Sequence, residues 1–444
     1  MTDKNPDATS ASNAPNDVSS EIPDHAALEA AVRQSTRRSL PAPAASAKAH
    51  SIKTGAERKD NKTVIVYGKA QVMAVFANLD GNYTVKGYGE RSHKGFGDFF
   101  LGMDASDEYD LQSRDINKAI QSITAEEGFA LGLEGGRAAY GTANGGATKG
   151  GTSLFGQMFS FLRKASKTKA SKTKEAEKRV EESSVDMLAA VATTLFGIPD
   201  GDLIITGPPR HDQGAPSRCP GDFNMVSGSL FKPEPEAGVA YLGKEQGKLL
   251  AKQTATLVAR LRAAKTPPPG RLTRVLFDTI PPEDDDRLVR TLIGTMMGLL
   301  PTIQFNLVAV MTGLEGSGEI PRLRAKIAAL GADPSYEQVH GMLKSAVYKA
   351  MQQEPTPEEV WRIAAHDHVI SGETDVEVKK GDMVVVSIER ATNADIKKKI
   401  EDISPIFGGL RTGRGRRPIH GCPGYAMAMG VIYGAVTVIL QQPD

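Results

Sequence analysis

The pattern of hydrophobic and polar positions predicts a mainly helical chain with a few short strands. Val64-Ile65-Val66-Tyr67 is a β-branched run of strand type, and Ala70–Phe76 switches to helical spacing. Tyr83-Thr84-Val85 reads as a second short strand, followed by a glycine-rich stretch from Gly87 to Gly97. Helical periodicity covers Asp107–Ser122, Ser183–Phe196, Tyr241–Ala264, Pro321–Leu330 and Tyr336–Gln353. Many glycines through 131–152 predict a loop or loosely helical connection. Prolines and glycines from Thr206 to Glu236 predict a long irregular segment. Strand-like alternation at Asp375–Val378 and Met383–Ser387 flanks the turn Lys379-Lys380-Gly381-Asp382.

The longest apolar helical pattern runs from Asp286 to Thr312. Pro281-Pro282-Glu283-Asp284-Asp285 precede it, and acids suit a helix start because that end of the dipole is positive. Pro301 sits in the interior, where it removes one backbone hydrogen bond and predicts a kink. Such an interruption opens space for a ligand. A second apolar run, Tyr425–Leu440, has 16 residues and contains Gly430 and Gly434. A membrane span needs about 20, so this run predicts a buried core helix and no membrane anchor.

Composition narrows the class. Among 444 residues, 54 Lys and Arg face 53 Asp and Glu, which excludes a whole surface built for nucleic acid. Two cysteines are too few for a disulfide framework. Residues 1–60 are rich in Ser, Ala, Pro, Asp and Asn without an apolar signal region. They are expected to form a disordered tail before a single domain over 61–444, in a cytoplasmic protein. The repeat Lys-Ala-Ser-Lys-Thr at 164–168 and 169–173 has no interleaved aromatics, so it reads as a solvated face.

Both cysteines sit in Cys-Pro-Gly, at 219–221 and 422–424, in different contexts. Cys422 follows Arg414-Gly-Arg-Arg-Pro-Ile-His420-Gly421 and opens the apolar run to Leu440. Before a helix, unpaired N–H groups and the dipole favour a thiolate, and Pro423 suits an early helical position. Gly421 and Gly424 leave no side chain beside the sulfur, so a flat, bulky cofactor can approach.

On these residues the chain resembles a divergent member of the cytochrome P450 family, from about Val64 to Leu440. The resemblance implies a mainly α fold with small β-sheets and haem b between a long central helix and a cysteine-ligand loop. Cys422 is then the axial iron ligand. His420 and Gly424 match the family's basic residue two before the cysteine and glycine two after. The usual phenylalanine seven before is Gly415, and Phe407-Gly408-Gly409 lies too far upstream without a shift of loop length. On the central helix Gly298 and Thr302 match the small residue and threonine that pass over the haem. Pro301 replaces the acid before the threonine. Gln304 and Asn306 either contact a hydroperoxide or satisfy nearby polar groups. Glu359-Val-Trp-Arg362 fits a Glu-x-x-Arg motif literally. Alternatively, Arg362 belongs to a later strand segment whose arginine pairs with a haem propionate, and Lys349 and Gln352 then take the motif's positions. Tyr109 stands near the family's propionate-binding histidine, with Arg114 the nearest arginine.

The function so implied is a monooxygenase that inserts oxygen into a hydrophobic, lipid-like or terpenoid-like molecule. No flavin or iron–sulfur segment is recognisable, so electrons would come from a separate ferredoxin or flavodoxin with its reductase. Arg411, Arg414, Arg416 and Arg417 would either face that donor or pair with propionates. Pro301 keeps a second reading open, an enzyme that uses peroxide or lipid hydroperoxide, and a non-catalytic haem-binding relative is the third.

Overall fold

The computed structural model describes residues 55–141, 184, 187–197, 206–207, 217–218, 221–264, 266–411 and 418–442. The lysine repeat, Cys219, Arg414, Arg416 and Arg417 lie outside the described residues. The first part holds β1 (Ala56–Asp60), β2 (Thr63–Val66), α1 (Lys69–Ala77), β3 (Tyr83–Thr84), α2 (Lys86–His93), α3 (Asp107–Gln121) and α4 (Ala125–Gly141). The helix α5 (Met187–Phe196) follows, then β4 (Thr206–Gly207), β5 (Ser217–Arg218), α6 (Gly221–Phe231), α7 (Ala237–Ala264) and α8 (Arg271–Thr279). The central helix α9 (Asp285–Gly316) precedes α10 (Ile320–Ala328) and α11 (Tyr336–Gln353). Strands β6 (Glu359–Ala364), β7 (His368–Ile370), β8 (Val376–Val378) and β9 (Met383–Ser387) lead to α12 (Ile388–Lys397) and α13 (Tyr425–Gln441).

The main sheet has the order β1-β2-β9-β6-β3. β2 and β9 run parallel, pairing Val64 with Val384 and Val66 with Val386, and all four of these side chains are buried. β1 lies inside the segment expected to be a tail. Of its five residues only Ala56 is buried, so it has no hydrophobic alternation and is held by its hairpin with β2.

The central helix is long and apolar enough to cross a membrane by composition alone, yet 83% of its apolar window is buried inside the protein. It is the core helix, contacted by α3, α6, α7, α11 and α13. It continues through the buried Pro301. At its start Arg287 pairs with the buried Asp115 of α3 at 3.3 Å and with Asp284 at 2.9 Å.

The segment Thr206–Glu236, expected to be irregular, is partly helical; the 131–152 stretch takes the helical of its two expected forms as far as Gly141, and the 87–97 stretch is also largely helical. Residues 131–141 continue α4, residues 86–93 form α2, and residues 221–231 form α6. The physical reason is clearest for α4 against α13. A Cβ at Gly132 would lie 2.3 Å from the Val431 carbonyl oxygen, and one at Gly434 the same distance from that of Phe129. A Cβ at Gly430 would lie 2.1 Å from the Ala125 carbonyl. These glycines let two helix backbones touch, a packing use that outweighs their poor helix propensity.

Candidate functional site

Two segments build the floor of the site. The 3-10 turn Ser404–Phe407 ends in Gly408 and Gly409, both in the left-handed region at φ 66° and 87°. The chain returns at Pro418 against the same turn, where a Cβ on Gly409 would fall 2.8 Å from Pro418 Cγ. Gly421 has no room for a side chain either, since its Cβ would sit 2.7 Å from the Gly409 carbonyl. Cys422 N–H donates to the Phe407 carbonyl at 2.8 Å, and the Phe407 ring meets Tyr425 edge-on at 4.8 Å. Phe407-Gly408-Gly409 therefore stands beside the cysteine despite its distance from it in sequence.

Cys422 is half-buried just before α13. Burial pushes its thiol up, and the Gly424 N–H and the Arg411 guanidinium only partly offset this. The expected dipole-stabilised thiolate is thus not a property of the bare chain, because desolvation outweighs those donors. A coordinated metal deprotonates a thiol outright. A Cβ at Gly424 would stand 3.8 Å from the sulfur and 3.3 Å from Ile120, so the small residue keeps that side clear.

Cations gather beside the cysteine. Arg411 Nε donates to the Gly421 carbonyl at 2.8 Å, and its Nη2 reaches the Ile419 carbonyl and Tyr109 Oη. Tyr109 Oη also donates to the Ile419 carbonyl, and its ring packs edge-on against His420 at 5.4 Å. His420 is not the positive group the sequence pattern suggested. Burial, with Arg362 and Arg411 nearby, pushes it down to about 3, so it is neutral, and its buried Nδ1 has no hydrogen-bond partner among the described residues.

Arg362 supplies charge instead. It is 9% exposed and lies on β6, with Nη1 bonded to Tyr88 Oη at 3.0 Å and the Trp361 carbonyl at 2.7 Å. A strand turns successive side chains to opposite faces, so the exposed Glu359 and the buried Arg362 point apart. The literal Glu-x-x-Arg is therefore no helical ion pair. On α11 Lys349 is exposed, and Gln352 ties the helix to the Ile400 and Asp402 carbonyls at 2.9 and 3.1 Å. Among the described residues no carboxylate pairs with Arg362 or Arg411. Arg114 is not brought to this place: its side chain is 60% exposed and lies 3.5 Å from Asp115.

The opposite wall is the central helix. From Thr291 to Met311 only Gly298, Thr302 and Phe305 are partly accessible, and their spacing puts them on one face. Leu101 stands beside Gly298, 4.0 Å from where its Cβ would be. Thr302 Oγ1 donates to the Gly298 carbonyl at 2.6 Å, with Leu299 O at 3.1 Å. Asn306 Nδ2 donates to the Thr302 carbonyl at 2.8 Å and the Thr356 carbonyl at 3.0 Å, tying the helix to the segment before β6. Gln304 is buried, about 200° around the helix from Thr302. The structure thus separates Gln304 from the face that Thr302 and Asn306 share.

The site has the sulfur of a half-buried cysteine on one side and an apolar helix face with one hydroxyl on the other. At its edge are two guanidiniums without counter-anions and an orphaned imidazole nitrogen. This donor set fits haem: sulfur for the iron, one buried and one half-buried cation for two carboxylates, and apolar walls for the ring.

The architecture is that of the cytochrome P450 haem domains. A cytochrome P450DA heme domain matches with a TM-score of 0.57 at 15% identity, over 87% of this chain and 82% of that one. A zebra fish cytochrome P450 with progesterone matches with a TM-score of 0.58 at 12% identity, over 87% of this chain and 88% of that one. At the level of sequence no family profile and no curated protein matches. The chain is a divergent protein of this fold.

Proposed function

We propose that the protein is a haem-thiolate oxidoreductase of the cytochrome P450 type, with Cys422 as the axial ligand and a small hydrophobic molecule as substrate. The observation that carries this reading is the pairing of a half-buried cysteine with Arg362 and Arg411, which lack any carboxylate among the described residues. Thiolate-ligated haem supplies, when bound, the chemistry of O–O cleavage and oxygen insertion.

The chain's own residues then have separable tasks. Arg362 and Arg411 would neutralise the haem carboxylates, with neutral His420 offering Nδ1 beside them. Tyr109 and Arg411 hold the Ile419 carbonyl and so fix the approach to the cysteine. Gly298, Leu101 and Phe305 shape an apolar wall that favours a hydrophobic substrate and excludes water. Thr302 gives its proton to its own helix, so toward the cleft its oxygen is an acceptor. A separate electron donor belongs to this reading, since no second redox segment is recognisable in the chain.

One observation favours a second oxidant. Pro301 stands where an acid would serve proton delivery, and the central helix carries no Asp or Glu from Arg287 to Leu314. A preformed O–O bond, from hydrogen peroxide or a lipid hydroperoxide, requires less of such a relay.

The first test is the visible spectrum of the reduced, carbon-monoxide-bound protein beside Cys422→Ser. A red-shifted Soret band lost in the variant supports thiolate ligation; an ordinary band or no haem uptake overturns it. Turnover with hydroperoxide and no reductase then favours the second oxidant, and strict dependence on a reductase removes it.

A further inference from the structure

Tyr88, which no motif singled out, is the neighbour of Arg362. It is 3% exposed on α2, and its oxygen accepts two hydrogen bonds, from Trp361 N–H and Arg362 Nη1, both at 3.0 Å. Its own proton has no acceptor among the described residues. Burial pushes the phenol up, so that proton stays. A buried donor without an acceptor and a buried guanidinium without an anion lie on one oxygen. Each deficit costs free energy, and one carboxylate satisfies both.

The same residues lead to the turn between α6 and α7. Trp361 is buried against Tyr88, with ring centroids 4.9 Å apart, and its Nε1 donates to the Leu230 carbonyl at 3.2 Å. The Arg91 guanidinium stacks on Trp361 at 4.2 Å. Arg91 Nη1 donates to the carbonyls of Ser229, Leu230 and Lys232 at 3.3, 3.0 and 2.6 Å, and Nη2 to that of Pro233 at 2.8 Å. The last carbonyls of a helix have no partner of their own, and a cation there also meets the negative end of the dipole. Arg91 is thus the cap of α6 and the clasp of the turn that follows.

We propose that Tyr88 and Arg362 together bind one carboxylate of the haem, and that this carboxylate orders the α6–α7 turn through Trp361 and Arg91. The inference rests on the haem reading above. With the anion present, Arg362 and Tyr88 are fixed. Tyr88 then fixes the Trp361 backbone and ring, and Trp361 holds the plane on which Arg91 stacks. A ligand group at the edge of the cleft so sets the rigidity of a turn that lies against α2 and β6.

The experiment compares haem with haem dimethyl ester, which has the same ring and no carboxylates. Two readouts are followed: the rate at which the pigment is lost to an excess of apo-globin, and hydrogen exchange at the amides of Ser229–Lys232, Glu234 and Glu236. For the unmodified chain, haem slows exchange in the turn relative to the haem-free protein, and the ester does not. Tyr88→Phe speeds loss of haem about tenfold, as expected for one hydrogen bond to a charged group, and leaves loss of the ester unchanged. A purely structural role for Tyr88 would weaken both pigments equally. Arg91→Lys keeps the charge and loses the fork, so the turn exchanges fast with or without pigment, and haem is lost faster by no more than the factor by which haem slows exchange in the unmodified chain. Equal protection by haem and its ester, or unchanged haem loss in Tyr88→Phe, overturns this proposal alone. No uptake of either pigment by the unmodified chain overturns the Cys422 reading and this one with it.

Discussion

The backbone N–H of Cys422 donates to the Phe407 carbonyl at 2.8 Å, so two residues distant in sequence form the seat of the site. The bond fixes the cysteine backbone, and the Phe407 ring braces Tyr425, the first residue of α13. Phe407→Ala removes that brace. Because the ring is half-buried, the expected loss is about 2 kcal/mol, below the usual range for a fully buried phenylalanine. Denaturant unfolding measures it, and an unchanged midpoint would show that Phe407 is not part of the seat.

The glycine contacts between α4 and α13 give a paired prediction. Gly434→Ala places a methyl 2.3 Å from the Phe129 carbonyl oxygen, where neither backbone can yield cheaply. It should destabilise by about 1–3 kcal/mol despite the better helix propensity of alanine. Gly341→Ala, on exposed α11 surface with nothing within 4 Å, should instead stabilise by up to about 1 kcal/mol. Thermal unfolding of the two variants with opposite signs would separate packing from propensity.

Arg287 holds the start of the central helix against α3. Its partner Asp115 is 3% exposed, and Arg287→Ala leaves that carboxylate buried with, among the described residues, Arg114 as its one remaining ion-pair neighbour. The expected cost is about 3 kcal/mol. The double variant Arg287→Leu with Asp115→Leu should recover much of it, because no charge then remains buried. A double variant as unstable as the single one would refute the ion-pair account.

Glu358 makes stability fall with pH. Burial, with Glu389, Glu359 and Glu354 close by and Lys232 opposing them, pushes its carboxyl up to about 8 from its ordinary value of 4.5. Between those values the folded chain holds a proton that the unfolded chain has lost. Its contribution is fully present below pH 4.5 and is lost as pH rises through 8. Glu358→Gln should therefore raise the melting temperature above pH 8 and change it little near pH 5. Parallel melting curves across that range for both chains would contradict the assignment.

The resemblance rested on local features that survive folding unchanged: a cysteine before an apolar helix, flanking glycines, and a small residue four before a threonine. Periodicity placed the central helix to within a few residues because its buried face is nearly continuous. Glycine and proline content misled at α6, and at α4 it left loop and helix both open. In one chain a glycine that loosens a loop looks the same as one that lets two helices touch.

Charge was the least legible quantity. His420 looked cationic beside its arginines, and the folded chain makes it neutral because burial and two guanidiniums disfavour a third positive charge. Arg362 could sit in either of two motifs until strand geometry turned it away from Glu359. Tyr88 carried no signal, since its importance comes from contacts with Trp361 and Arg362 more than 270 residues away. The sequence by itself determined the long apolar helices, the cysteine before the last of them and the missing acid on the central one, because these depend on residue type and short spacing. Only the tertiary structure decided which Phe braces Cys422, which arginines lack an anion and which glycines touch, because those follow from burial and from contacts across the chain.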